Sequence, residues 1–329
     1  MISCSRRTVC QALFLPATWV AGLAQAADKK LHVAILLSGF ETHYGEVTES
    51  FLTGLRELGY VEGKNLTVER RYAKLRGDQM PSIARELAEL RPDVIVTGCT
   101  GSTRAAMQAT QTIPIVMASV ADPVGQGFVR HLARPGTNVT GRSSQSRQLM
   151  PKMMELLHTV APGAAQVAVL INLFNTAHEA LWSDVQSAAA MRGVTPVRAE
   201  VRGPSDLASA LARLERASAG SLIVLPDDPM TTNSRRQVID AANGLKLPAI
   251  YGLREFAAEG GLMSYGESFS ESYRRVGTYV DKLARGARAT DLPIEQPTHF
   301  QLVVNLKTAG LLGVNPPRTL LLRADELIR

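Results

Sequence analysis

Cysteine is nearly missing from this chain: three occur in 329 residues. Cys4 and Cys10 fall within the first 26 residues, which leaves Cys99 alone in the body of the protein. A body with one thiol forms no internal disulfide, so its stability must come from a packed core. Aromatic residues are few, at 5%, and each one outside an evident core strand carries extra weight. The six histidines (His32, His43, His131, His158, His178 and His299) are scattered, with neither an H-E-x-x-H pattern nor paired ligand spacing. That excludes the common zinc chemistries. No G-x-G-x-x-G follows the first apolar run. GYVEGKN (59–65) has too few residues between its glycines for a phosphate loop and lacks a hydroxyl after Lys64. GLMSYG (261–266) holds Ser264 one position away from a nucleophile elbow. No cofactor and no metal is expected, and nothing nominates an enzyme. Concentrated positive charge is absent too. The formal net charge is +6, but its lysines and arginines alternate with acids, as in RELAELRPD (85–93), which excludes the basic stripe that nucleic-acid binding needs.

What is present begins with a leader. Arg6 and Arg7 form a positive start, a short apolar stretch broken by Pro16 follows, and Ala24-Gln25-Ala26 supplies a small-residue cleavage site. The run is too short to span a bilayer and reads as a secretory signal peptide over 1–26. The expected destination is the periplasm. The Arg pair also fits twin-arginine export, so the export route stays open. Neither early cysteine has a lipoprotein setting.

The remaining length suggests two domains at roughly 100–200 residues each, and 45% apolar content is ample for two cores. From residue 31 the pattern alternates. LHVAILLSG is a continuous apolar run of the kind buried on both faces. VTESFLTGLRELGY then repeats apolar residues at helical spacing, and the alternation continues through NLTVERRYA, DVIVTG, IPIVMAS and TNVTGRS. A second series starts near residue 150, with strands at QVAVLIN, TPVRAEV, SLIVLP, PAIYG and GLMSYG, and closes on HFQLVVNLKTAGLLG. Two successive series of this kind predict an α/β fold of two doubly wound, Rossmann-like domains.

In open α/β sheets ligands bind beyond the carboxyl ends of strands. Those ends read SGFETHYG, TGCTGSTR, ASVADPVGQG, INLFNTAH, LPDDPMTTN and YGLREF. Thr100, Ser102 and Thr103 stand where the third helix begins, and free N–H groups there could seat a carboxylate; plain N-capping is the alternative. Ser38 lies at the first strand end. Asp122 and Asp227 could accept from a ligand amine, or serve as turn and cap residues. Tyr44 and Tyr251 border polar loops and are candidate flat walls, whereas Phe174 reads as core packing. Cys99, at a strand end, is either a reactive thiol or a small buried filler.

Five stretches in order then resemble a known family: FLTGLRELGYVEGKNLTVERRYA, PIVMASVADPVGQGFVRHLARPGTNVTG, LPAIYGLREFAAEGGLMSYG, LPIEQPTHFQLVVNLKTAGLLG and LLLRADELI. Together they look like the ABC-transporter substrate-binding protein family that includes the bacterial tryptophan-binding proteins. The resemblance implies a periplasmic binding protein of type-1-like architecture, with two lobes joined by a three-segment hinge. It implies lobe 1 over 27–143 plus 267–296, lobe 2 over 144–266 plus 297–329, and crossings near 141–145, 264–268 and 295–299. It also implies a solute held in the cleft and delivered to a membrane permease, with the binding protein a monomer. Departures concern the ligand. NLFNTAH keeps Asn172 and Asn175 but has Leu173 and Thr176 where prolines are frequent, GCTGST replaces a Gly-Gly-Thr-like run, and Phe40, Glu41, His43 and Tyr44 make the first loop bulky. Tryptophan therefore does not carry over.

The expected function is capture of a small carboxylate-bearing solute, an amino acid or aromatic acid. Ser38, Tyr44, Thr100, Ser102, Thr103, Asp122, Asn172, Asn175, Asp227 and Tyr251 form the candidate site, and Ser102→Ala is expected to weaken binding with little loss of stability. The alternatives are an exported α/β enzyme using Cys99, or a sensory binding protein that reports to a receptor.

Overall fold

A computed structural model describes residues 30–216 and 219–329. The expected signal peptide over 1–26 lies outside the described residues. The apolar runs become strands and the periodic segments helices. The first series gives β1 (Leu31–Leu37), α1 (Glu41–Glu57), β2 (Leu66–Tyr72), α2 (Met80–Glu89), β3 (Val94–Thr97), α3 (Thr100–Ala109), β4 (Ile115–Val120) and β5 (Val139–Ser143). These five strands form one parallel sheet in the order β2-β1-β3-β4-β5. All residues of β3, β4 and β5 are buried, as expected where helices cover both faces.

The second series gives α4 (Ser146–Val160), β6 (Gln166–Asn172), α5 (His178–Ala190), β7 (Thr195–Val201), α6 (Pro204–Arg216), β8 (Ser221–Val224), α7 (Pro229–Asn233), α8 (Arg235–Gly244), β9 (Ala249–Tyr251), α9 (Arg254–Ala258) and β10 (Met263–Gly266). After α10 (Phe269–Ala284) come β11 (Gln301–Asn305), α11 (Leu306–Leu312), α12 (Arg318–Leu321) and β12 (Glu326–Ile328). The second sheet has the order β12-β11-β10-β9-β8-β6-β7. Strands β6 to β10 are parallel, and β11 is antiparallel to β10.

The chain therefore changes sheets more than once. It leaves the first after Ser143 and enters α4, which packs on the second. After Gly266 it returns, because α10 lies on α1, β4 and β5. That crossing is tight: a Cβ on Gly266 would stand 1.8 Å from the Gly252 carbonyl oxygen. The segment after α10 still touches the first sheet, where Glu295 N–H donates to the Gly141 carbonyl at 2.9 Å, before the chain enters β11. The two sheets make two α/β domains with separate cores. In each, the strand order reverses at a central pair, β1/β3 in the first and β6/β8 in the second. The crevice beyond those strand ends is where such folds take ligands.

Candidate functional site

A cavity of about 720 Å³ opens between the two domains at both reversal points. Its first-domain wall includes Ser38 after β1, Leu75 from the β2–α2 connection, Met80 at the start of α2, and Thr100 and Arg104 on α3. The facing wall includes Asn172, Phe174 and Asn175 from the β6–α5 loop, and Asp227, Asp228 and Met230 beyond β8. Its volume suits a small organic molecule.

Helix α3 sets the first wall. Cys99 is its N-cap, with extended backbone and a reciprocal capping box: Cys99 accepts from the Ser102 N–H, and Ser102 Oγ accepts from the Cys99 N–H at 3.1 Å. Ser102 Oγ also accepts from the Gly98 N–H at 3.2 Å. Thr103 Oγ1 lies 2.8 Å from Thr97 Oγ1 and donates to the Cys99 carbonyl at 2.9 Å. The Cys99 thiol packs 2.8 Å from Ser38 Oγ. Thr100 differs from these neighbours. It is buried, its Oγ1 has no hydrogen-bond partner, and it lines the cavity.

The second wall is acidic. Asp228 caps α7, accepting from the Met230 and Thr231 N–H groups, and takes a further hydrogen bond from Asn172 Nδ2 at 2.9 Å. The Asn172 N–H in turn donates to His178 Nδ1 at 2.9 Å. That ring nitrogen is an acceptor, so His178 is neutral, and burial holds its pKa below the ordinary value. Asp227 adopts a left-handed backbone, φ +61°, a region asparagine and aspartate tolerate better than other side chains. Its carboxylate accepts from Ser144 at 2.8 Å and from Ser146, and Ser119 stands 3.4 Å away. Burial pushes the Asp227 carboxyl up, against the serine hydrogen bonds, which favour its ionised form.

Residues 33–328 match the ABC transporter substrate binding protein family. The chain belongs to that family. It is 25% identical over 283 residues to a tyrosine-binding protein of Clostridioides difficile (strain R20291), covering 84% of this chain and 80% of that protein. A conserved domain protein of Vibrio cholerae superposes with a TM-score of 0.85 at 28% identity, over 91% of this chain and all of that one. An ABC domain from Streptococcus pneumonia in complex with L-Trp gives 0.84 at 21% identity, with the same coverage.

In this binding protein, five of the ten sequence-derived site residues line the cavity: Ser38, Thr100, Asn172, Asn175 and Asp227. The other five lie elsewhere. Ser102 and Thr103 turn back under α3 and are fully buried. Ser102 therefore serves the cap, and the expectation that Ser102→Ala spares stability gives way to this geometry. Asp122 closes a turn by accepting from the Gly125 N–H at 2.8 Å and pairs with Arg147 at 3.3 Å, outside the cavity. Tyr44 lies in the core between α1 and the first sheet, where burial raises its hydroxyl pKa well above the ordinary value. Tyr251 is wholly buried in the second core, stacked on Phe256 with centroids 4.7 Å apart. The aromatic at the cavity is instead Phe174, 74% exposed, which the sequence reading places in the core. Asp228 and Arg104 also line the cavity, and the sequence reading does not single them out. The Asp-Pro step ahead of α7 is a capping signal that could have drawn attention to Asp228. Arg104 carries none, since an arginine one turn into a helix reads as surface.

Contacts also cross the cleft. Thr176 Oγ1 donates to Gln126 Oε1 at 3.0 Å, and the Phe40 N–H donates to Asn233 Oδ1 at 3.1 Å. Arg147 of α4 reaches Asp122 while held by Asp184 at 2.8 Å. Each joins an element of one sheet to an element of the other.

Proposed function

We propose that this family member is exported to the periplasm, captures an amino acid between its two lobes, and hands it to the membrane permease of an ABC importer. Lobe 1 comprises 27–143 with 267–296, lobe 2 comprises 144–266 with 297–329, and the protein works as a monomer. The observation that carries the ligand class is Thr100. A buried hydroxyl without a partner is costly unless something else completes it, and this one sits at the positive end of α3. A carboxylate there would receive the Thr100 hydroxyl and the first N–H groups of the helix, which lack intrahelical acceptors by construction. Across the cavity, Asp227 and Asp228 would face the ammonium. Phe174, Met80 and Leu75 leave an apolar region for the side chain. The tyrosine-binding relative and the L-Trp complex support an amino acid, and the apolar lining favours a bulky one.

Titration calorimetry with L-tyrosine, L-tryptophan and tyramine tests this. Tyramine keeps the amine and ring but lacks the carboxylate, so it should bind far more weakly than L-tyrosine. Thr100→Val should lower affinity for whichever amino acid binds by about tenfold, the effect of one hydrogen bond to a charged group, with an unchanged melting temperature. Equal binding of tyramine and L-tyrosine would remove the carboxylate from the reading.

A further inference from the structure

The carboxyl of Glu267 plays no part in lining the cavity, yet it sits where the lobes meet. It directly follows β10, in the crossing that leads into α10, and is 7% exposed. Ser119, at the end of β4 in the first sheet, places its Oγ 2.7 Å from Glu267 Oε1 and 3.4 Å from Asp227 Oδ1. A single serine proton thus stands between two buried carboxyl groups. If both were ionised, both would be acceptors, and Ser119 could satisfy only one. A proton on Glu267 resolves the conflict: Glu267 donates to Ser119 Oγ, and Ser119 donates onward to Asp227. The remaining oxygens are already served. Ser272 donates to Glu267 Oε2 at 2.6 Å, and Ser144 and Ser146 donate to Asp227 Oδ2.

We infer that Glu267, in its neutral form, is a positioning residue that acts through Ser119 to hold Asp227 at the cavity, so that the closed, ligand-bound arrangement takes up a proton. This rests on the proposed contact between Asp227 and the solute. The surroundings decide which carboxyl carries the proton. Asp227 receives hydrogen bonds from Ser144 and Ser146 and faces Ser119, and these hydroxyls favour its ionised form, while His178 of α5 faces it as a neutral ring. Glu267 faces Ser272 and Tyr273 of α10, Ser119 of β4, Arg142 of β5 and the charge of Asp227. Arg142 is engaged with Glu295 at 3.4 Å. Burial, reinforced by Asp227, pushes the Glu267 carboxyl up to about 7 against the serine hydrogen bonds and Arg142. Ser119 belongs to one lobe and Asp227 to the other, so opening the cleft breaks the chain of donors. Water then reaches Glu267 more readily, so its proton is held less tightly than in the closed arrangement but not lost.

The test has two independent arms on the processed full chain. Difference infrared spectroscopy without any solute should show a buried carboxylic-acid band in the wild type that titrates near neutral pH and is missing in Glu267→Gln. Calorimetry with L-tyrosine in buffers of different ionisation enthalpy should show proton uptake on binding. Affinity should fall about tenfold from about pH 6 to about pH 8 in the wild type. Glu267→Gln, whose amide always donates to Ser119, should bind with flat pH dependence near the acid-side affinity of the wild type, whereas Glu267→Ala should be weaker throughout. An acid band that persists in Glu267→Gln, or the same pH profile in Glu267→Gln as in the wild type, overturns the assignment. If L-tyrosine does not bind, the amino-acid reading has failed for this probe, and the infrared titration alone decides the protonation of Glu267.

Discussion

Thr100, Ser102 and Thr103 are adjacent hydroxyls with one sequence signal and three different positions. The rotation of about 100° per helical residue separates them: the first position of α3 presents its side chain to the cavity, while the third and fourth turn back on the cap. Composition could not divide them, because capping and anion binding call for the same residue types. The physical cost of each now differs. Ser102→Ala removes an acceptor shared by the Gly98 and Cys99 N–H groups and leaves both buried and unpaired. We expect a loss of about 1–3 kcal/mol in urea unfolding, with solute affinity unchanged once the protein is folded. A variant as stable as wild type but impaired in binding would restore Ser102 to the site. The tyrosines taught the opposite lesson. With aromatics scarce, Tyr44 and Tyr251 looked available for a ligand, but each neighbours a strand end from the buried side, and a linear sequence does not show which side a loop residue faces.

The elements were more legible, because a buried strand needs a continuous apolar run and an amphipathic helix needs a repeating one. The runs LHVAILL, VIVT, IVMASV and QVAVLIN all became strands. What periodicity missed was short or set by distant partners. Strand β12 spans three residues, too few to show a period. The stretch TNSRRQVIDAANGL reads as one helix but is divided at Ser234 into α7 and α8. The antiparallel direction of β11 depends on where the chain returns from α10, which no local pattern records. The packing of α1 on α10 was equally silent in the sequence. A Cβ on Gly54 would lie 2.2 Å from the Arg274 carbonyl oxygen, and one on Gly277 would lie 3.0 Å from the Gly54 carbonyl carbon. The two helices therefore meet backbone to backbone at these glycines. Gly54→Ala should force them apart and cost about 2 kcal/mol or more. On the same helix a Cβ at Gly45 meets nothing within 4 Å, so Gly45→Ala should gain up to about 1 kcal/mol from helix propensity. Equal melting temperatures for the two variants would show that the close helix contact is absent in solution.

At the scale of the whole molecule, two buried groups pull the pH dependence of folding in opposite directions. Glu267 titrates near 7 when folded against an ordinary value of 4.5. The folded state therefore binds more protons than the unfolded one between those values, and this contribution is full below about 4.5 and lost as pH rises through about 7. His178 is the reverse case. Burial lowers its pKa from 6.5, so the unfolded chain binds more protons just below that value, and this contribution is complete above about 6.5 and shrinks as pH falls. The windows overlap, and the wild type should show a shallow stability profile from about pH 5 to about pH 7 because the two slopes cancel in part. Glu267→Gln removes one slope. Its stability should rise with pH up to about 6.5, unmasking His178. The difference in unfolding free energy, wild type minus variant, should fall steadily from about pH 4.5 to about pH 7 and then flatten. Its total drop should be on the order of 3 kcal/mol, the energy of a shift of roughly two and a half pKa units. Chemical denaturation of both proteins at matched ionic strength measures this curve. A difference that stays constant with pH would mean that Glu267 titrates alike in the folded and unfolded chains, and that its proton contributes nothing to joining the lobes.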